Sequence, residues 1–340
     1  MAGEKCCVMI DESTDVACLK YLCVAVRFYS KVEKKIVTAF VALIPVVSAT
    51  GKDLFDAMKA CVQAAGLQMS DCVGFGSDGA SAMVGEHDSV WSRVRNESPN
   101  CTIMKCICHS LALCIKHAFE QMPSHLGFIL SETPKWFSKS ILRREAYKKL
   151  FDIVNENTES ASLPRPFQKF SQTRWLVRGK VIFNILVNWQ ELKAYFSVAE
   201  LEGDAQVRYK ARLIADMLRD PLNLLYFHFL SPIVAEFERV NAFFQATDID
   251  PYDMIKELSL FSNSLENRVF DVNRAQLPLT EVDFGAKFLF EADALVERNK
   301  GDNSMLLKVM EAKARCHKML LEATRQVSKR LPPSRDVFRY

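Results

Sequence analysis

The sequence predicts an α/β protein in which a mixed β-sheet with crossing helices is followed by a long all-helical region. Three observations support this fold class. Short apolar runs of strand character alternate with helical patterns from residue 1 to about residue 122. Helical periodicity dominates from about residue 123 onward. The composition, 49% hydrophobic and 25% charged, is that of an ordinary globular protein with material for two cores in 340 residues.

Three strands are predicted first along the chain. They are Cys7 to Ile10, Tyr21 to Tyr29 and Lys35 to Leu43, and the second is rich in Val, Phe and Tyr. The connections between them are short, which favours an antiparallel meander. Pro45 is expected to end this pattern.

Helices and strands alternate after Pro45. Thr50-Gly51-Lys52-Asp53 is typical of a capping box, and the apolar spacing that follows predicts a helix from Thr50 to Ala65. The strand Cys72 to Phe75 is then expected to run parallel to the first strand, because a helix crosses between them. The remaining elements are a helix from Ser81 to Trp91, a strand from Thr102 to Cys108 and a helix from Ser110 to Met122. The order β-β-β-α-β-α-β-α is that of the ribonuclease-H-like fold.

The second half of the chain is predicted to be helical throughout. The clearest patterns cover Tyr209 to Arg219, Leu222 to Phe244 and Met305 to Lys329, and proline-containing breaks separate the segments. We therefore predict a core domain at residues 1–122 and a helical domain at residues 123–340.

Charge and cysteine usage restrict the class of protein. The net charge is only +3, so the overall charge does not indicate nucleic acid, and local charge has to be considered. Ten of the eleven cysteines lie between Cys6 and Cys114, mostly in apolar runs and without the even spacing of a disulfide framework. This usage indicates a reducing compartment. The sequence shows no signal-peptide pattern and no apolar run of about 18 residues that would span a membrane.

Two acidic motifs follow predicted buried strands. Asp11-Glu12-Ser13-Thr14-Asp15 comes after the first strand, and Gly76-Ser77-Asp78-Gly79-Ala80 comes after the fourth. If these strands are neighbours, about 4.8 Å apart, Asp11 and Asp78 would share a divalent cation at one sheet edge. Mg²⁺ suits such carboxylate ligands. The alternative is that each acid only ends a strand or starts a helix, since Asp is a good turn and N-cap residue.

Four elements, in order, resemble the hAT superfamily of DNA transposases and the host proteins derived from them. They are the two acidic motifs, Cys106-Ile107-Cys108-His109-Ser110-Leu111-Ala112-Leu113, and Thr173-Arg174-Trp175. The resemblance covers roughly residues 5 to 335. It implies a ribonuclease-H-like core interrupted by a large all-helical insertion domain.

The resemblance also implies roles for individual residues. Asp11 and Asp78 match the first two catalytic, metal-holding aspartates. Cys106 and His109 match a Cys-x-x-His element of unclear role, and Trp175 matches a tryptophan placed near DNA. The family's third acid, a glutamate, has no identified counterpart. We also expect the chain to lack the N-terminal zinc finger, the closing strand and helix of the core, and the C-terminal dimerisation region, which would leave apolar core surface exposed.

Other readings of the Cys106 region stay open. Cys101, Cys114 and His117 lie near the motif in sequence, so the set suggests zinc, which needs four converging ligands. We favour the simpler interpretation that these are small buried residues packing a strand against a helix. A Cys/His nucleophile pair lacks an identifiable orienting residue.

Basic residues with interleaved aromatics mark a candidate nucleic-acid surface. No acidic residue occurs between Ala161 and Trp189, where Lys169, Arg174 and Arg178 accompany Trp175. Two further basic runs, one from Lys135 to Lys149 and one from Lys308 to Arg335, are interpreted as solvated helix faces.

The sequence therefore predicts a transposase-derived DNA- or protein-binding factor without transposition activity, in the nucleus or alternatively the cytoplasm. The second hypothesis is an active transposase or nuclease that uses Mg²⁺ or Mn²⁺. DNA is the expected partner, with a protein partner or a homo-oligomer as further options, and neither zinc nor a membrane is expected.

Overall fold

A computed structural model of the chain describes residues 5–15, 18–155, 178–246, 249–300 and 303–331. They form two compact units, which are described separately. The first holds the described residues up to Ser110 together with Leu331, and the second is Leu111–Arg330. The division into domains predicted at residue 122 stays a prediction.

The first unit is built on a five-stranded mixed sheet with the order β3-β2-β1-β4-β5. β1 pairs antiparallel with β2 and parallel with β4, β2 pairs antiparallel with β3, and β4 pairs parallel with β5. The strands are β1 Cys6–Thr14, β2 Lys20–Ser30, β3 Lys35–Val46, β4 Cys72–Ser77 and β5 Thr102–Lys105. The helices between and after them are α1 Gly51–Ala64, α2 Ser81–Val84, α3 Val90–Glu97 and α4 Ile107–Phe119, the last of which continues into the second unit. The predicted fold class and the parallel pairing of the first and fourth strands are confirmed.

One face of this sheet carries the core. Alternate residues of β1 and β2 point toward α1 and α3, and Val8, Val24 and Leu54 are completely buried there. The opposite face, which holds the residues in between, stays open toward the edge strand β3, where Phe40 is 67% exposed. Leu43 on the same strand is 54% exposed. The expectation that missing closing elements expose core surface stays a prediction.

The start of α1 follows the predicted capping box. The Thr50 side chain accepts a hydrogen bond from the Asp53 N–H at 3.2 Å and donates one to the Asp53 carboxylate at 2.7 Å. These bonds satisfy an otherwise unpaired N–H in the first turn, which fixes where the helix begins.

Two predicted boundaries in the first unit are wrong. Pro45 does not end the third strand but lies within β3, opposite Tyr21, and an edge strand tolerates a residue without an N–H. The helix predicted from Ser81 to Trp91 is two helices. Ser89 separates them, because its hydroxyl donates to the Gly85 carbonyl at 2.6 Å and accepts from the Ser92 N–H at 3.0 Å.

The second unit is helical in all its described elements apart from one isolated β-bridge. Its first buried aromatic cluster centres on Phe137, whose ring lies 5.0 Å from Tyr147 and 5.2 Å from Tyr195. Phe237 and Phe261 pack edge to face at 4.8 Å in another part of this core. The helices that follow α4 are α5 Ser124–Ser138, α6 Ile141–Val154, α7 Arg178–Val187, α8 Trp189–Ala199, α9 Ala205–Arg219, α10 Pro221–Phe244, α11 Pro251–Glu266, α12 Ala286–Arg298 and α13 Asn303–Arg330.

No described helix combines the length and the apolar character that crossing a membrane would require.

Candidate carboxylate site at the sheet edge

Asp11 lies inside β1 and not after its end, which corrects the expectation from sequence. β1 continues to Thr14 because its antiparallel pairing with β2 continues, with Asp11 opposite Cys23. Its parallel pairing with β4 stops earlier, at Met9 and Gly76. Asp11 is thus two residues beyond the last pair with β4, is exposed, and lies on the face opposite the core.

Asp78 is the first residue after β4 and lies two residues beyond Gly76. Extending the β1–β4 register by two residues would set it opposite Asp11, although the observed pairing ends at Met9 and Gly76. One carboxylate oxygen of Asp78 accepts the Ala80 N–H at 3.0 Å, which forms the turn into α2. Asp78 therefore has the turn role that was the alternative interpretation, and its second oxygen remains for other partners.

A third strand end reaches the same edge. Lys105, the last residue of β5, is in register with Ser77, and the Cys106 N–H donates to the Ser77 carbonyl at 2.8 Å. The strand predicted from Thr102 to Cys108 is wrong at its end, because the Cys106 carbonyl accepts the Ser110 N–H and starts α4. Cys106 and His109 therefore lie at a helix N-terminus beside the end of β4.

The Cys106 thiol has an unusual environment at this helix start. It is exposed, and its pKa is lowered to about 6 by a hydrogen bond from the Cys108 thiol and by the backbone N–H groups of His109 and Cys108. A thiolate is favoured at a helix N-terminus, where unpaired N–H groups and the helix dipole stabilise negative charge. This helix start therefore favours the thiolate form of Cys106, beside the end of β4.

The residues considered for zinc do not come together. Cys114 is completely buried in α4, and burial raises the pKa of its thiol to about 12. The Cys101 sulphur lies 3.7 Å from that of Cys72, and the His117 ring nitrogen lies 3.3 Å from the Glu120 carboxylate. Within the part of the chain that the structure describes, no group of three or more His, Cys, Asp or Glu side chains is placed to hold a metal ion.

Asp11 and Asp78 fit a divalent cation in chemistry and register, since both present carboxylate oxygens at one edge. Two carboxylates alone do not complete the ligand set of a metal ion. Waters and substrate phosphates ordinarily supply part of a Mg²⁺ shell, and a further acid would be required to hold two ions.

Most of the predicted nucleic-acid residues, namely Lys169, Arg174 and Trp175, lie outside the described residues. Arg178 is described as the first residue of α7 and is half-buried, and burial lowers the pKa of its guanidinium to about 10. Beside it, the Gly179 N–H donates a hydrogen bond to the Glu238 carboxylate at 2.9 Å. A side chain of α10 therefore satisfies an N–H group in the first turn of α7.

The basic run from Lys135 to Lys149, interpreted from the sequence as a solvated helix face, includes exposed cations on α6. Four exposed cations lie on this helix and just before it, and none of them forms an ion pair with a described residue: Lys139, Arg144, Lys148 and Lys149. We call this set the α6 basic surface. Two carboxylates, Glu145 and Asp152, are exposed on the same helix. Nearby basic residues are engaged elsewhere: Lys135 pairs with Glu132 at 2.8 Å, and Arg143 stacks 3.8 Å from the Trp136 ring.

Comparison with known families gives a match for the N-terminal part of the chain. Residues 1–89 match the family DUF4371, described as "ZMYM1/FAM200, RNase-like domain". The matched region begins before β1 and ends after α2, so it contains both Asp11 and Asp78. The match agrees with the observed strand order, and residues 1–89 are similar to an RNase-like domain.

Proposed function

We propose that this protein is a transposase-derived factor that binds DNA and does not carry out transposition. The RNase-like match and the β-β-β-α-β order support the origin. The resemblance of the ordered motifs to hAT transposases supports the same origin for the rest of the chain. A nuclear location is part of this proposal.

The α6 basic surface is the observation on which DNA binding rests. α6 buries Tyr147 and Phe151 in the core of the second unit, which fixes the helix and leaves its other side in solvent. Four cations that form no ion pair with a described residue outnumber the two exposed carboxylates on this segment. Charges of this kind neutralise phosphates and release counterions, irrespective of base sequence.

The proposal that the protein does not cleave or join phosphodiesters rests on the acids at the carboxyl ends of β1 and β4. Among the described residues, no group of three or more His, Cys, Asp or Glu side chains is placed to hold a metal ion, and one oxygen of Asp78 is already used in the turn to Ala80. Two-metal phosphodiester cleavage needs both ions held firmly, about 4 Å apart.

DNA binding is tested by fluorescence anisotropy of a labelled duplex over a salt series. We expect Lys148→Glu/Lys149→Glu to weaken binding about tenfold at moderate salt and to make the slope of log K against log[salt] shallower by about 2. The matched control is Lys256→Glu/Lys287→Glu, which makes the same change in net charge at exposed positions of α11 and α12. Equal loss in both variants, or no binding by the wild type, would contradict the assignment; in the second case, size-exclusion chromatography would test for self-association.

An active nuclease or transposase is the second candidate, and the register of the two acids favours it. Each lies two residues past the last β1–β4 pair, so the extended register would put both carboxylates at the same end of the sheet. When bound, Mg²⁺ or Mn²⁺ would supply an activated water and stabilise the leaving oxygen. Asp11 and Asp78 would hold the ion, and Lys105 would add positive charge close to the phosphate.

Cleavage of an end-labelled duplex with Mg²⁺ or Mn²⁺ distinguishes the two candidates. Our proposal expects wild type and Asp78→Asn to be indistinguishable. Metal-dependent nicking by the wild type that falls at least about 100-fold in both Asp11→Asn and Asp78→Asn would establish the nuclease instead. Asp56→Asn, at an exposed position of α1, is the control for the loss of a carboxylate elsewhere on the same unit.

A further inference from the structure

Three cysteines form a row at the end of the sheet where β1, β4 and β5 begin. Asp11 and Asp78 lie toward the other end of these strands. Cys6 and Cys72 begin β1 and β4 and are paired in the parallel register, and Cys101 immediately precedes β5. Each comes from a different one of three neighbouring strands, so the topology and not the sequence spacing brings them together. All three are buried, with Cys101 the most accessible at 8% exposed.

Two sulphurs of this row are in contact, and the third residue lies beside them in the sheet. The Cys72 sulphur lies 3.7 Å from the Cys101 sulphur, and Cys6 is the residue paired with Cys72 across β1 and β4. The hydrogen bonds from Cys101 and then Cys6 lower the pKa of Cys72, and the same bonds raise the pKa of both neighbours. Cys72 is thus the middle residue of the row, the one that can form a disulfide with either neighbour.

The surroundings permit the small movement that a disulfide requires. A disulfide has a sulphur–sulphur distance of about 2 Å, so the two sulphurs must approach by less than 2 Å. Cys101 precedes a strand of four residues at the edge of the sheet, which pairs only with β4. Short edge strands open more easily than central ones, and this gives a small oxidant access.

We propose that Cys72 and Cys101 form a reversible disulfide when the protein meets a hydroperoxide. The Cys72 sulphur attacks the peroxide, the O–O bond breaks, and water leaves with formation of a sulfenic acid. The Cys101 sulphur then displaces a second water as the S–S bond forms, so that two thiols are oxidised while one hydrogen peroxide is reduced to two waters. The disulfide would link the start of β4 to the residue before β5 and hold the edge strand β5 against β4.

Cys6 is a second possible disulfide partner for Cys72. Because Cys6 is paired with Cys72 in the sheet, removal of Cys101 leaves one remaining partner for the oxidised sulphur. We expect Cys101→Ser to form a Cys6–Cys72 disulfide instead, while Cys72→Ala forms neither. If both disulfides require Cys72, their formation is distinguished from nonspecific oxidation of surface cysteines.

The test is peptide mapping of the folded chain treated with hydrogen peroxide, followed by denaturing alkylation and trypsin. The expected product is a cross-link between peptides 60–93 and 96–105, with a mass loss of about 2 Da, that dithiothreitol reverses. Alkylation of Cys101 should fall about tenfold relative to untreated protein. Fragment ions distinguish Cys72 from Cys61 in the first peptide. Cys316→Ser, a buried cysteine of α13, is the matched control and should behave as the wild type.

The wild-type measurement needs no variant to fold, so the proposal stands or falls on it. Free Cys72 and Cys101 after oxidation of exposed thiols such as Cys18 and Cys106 would overturn it. A cross-link confined to Cys106 and Cys108, or one formed only between two chains, would also overturn it.

Discussion

Gly51, the first residue of α1, has no space for a side chain. A Cβ at this position would lie 2.5 Å from the Asp88 carbonyl oxygen and 2.6 Å from the Ser89 Cα, which are backbone atoms of the segment between α2 and α3. Backbone cannot turn away as the end of a long side chain can. The helix therefore approaches this segment as closely as it does only because the residue is glycine.

Gly51→Ala should consequently lower the free energy of unfolding of the first unit by about 1–3 kcal/mol through overpacking. Urea-dependent hydrogen exchange of peptides from residues 5–105 is the measurement. Gly79→Ala is the control, because a Cβ there meets nothing within 4 Å, and it should stay within about 0.5 kcal/mol of the wild type. An unchanged stability for Gly51→Ala would show that the contact relaxes without cost.

Asp78 shows why residue types alone left the candidate site undecided. Aspartate after a strand suits both a turn and a metal, and the structure gives it the turn bond to Ala80 without excluding the second use. The placement opposite Asp11 depends on strand register, which no local pattern encodes. The predicted metal site at Asp11 and Asp78 stays a prediction. Its third acid stays unidentified.

At the scale of elements, sequence patterns located the sheet well and misplaced some of its ends. The start of α1 could be predicted because Thr50 and Asp53 form a local cap. The β5–α4 boundary could not, because residues 102–108 are apolar enough for a strand, and the helix begins where Cys106 bonds to Ser77 on another strand. A helical signal was present in Ile107, Leu111 and Cys114, which recur at helical spacing and are buried.

The α6 helix illustrates the same limit for function. Its basic residues were visible in the sequence, but a solvated helix face and a nucleic-acid surface share one pattern. The structure adds which cations are paired: Lys135 is paired with Glu132, whereas Lys148 and Lys149 have no described ion-pair partner. Pairing of this kind depends on which helices become neighbours.

At the scale of the whole molecule, the chain has two separate buried cores. The core of the first unit packs α1 and α3 on the sheet, with Leu54 and Met58 completely buried. The second unit has its own aromatic core, in which Phe237 is completely buried. A chain with two cores need not unfold as one cooperative block.

We therefore expect core truncations to act within their own unit. Leu54→Ala should cost about 2–5 kcal/mol and accelerate hydrogen exchange in residues 5–105, while Phe237→Ala should cost about 3–5 kcal/mol and accelerate exchange in α10 and α11. Each variant is the control for the other, since both remove a completely buried side chain. Hydrogen-exchange mass spectrometry at low urea compares the two directly. Equal acceleration of both regions by either variant would show a single cooperative structure, and the disulfide proposed between Cys72 and Cys101 would then stabilise the helical unit as well as the sheet.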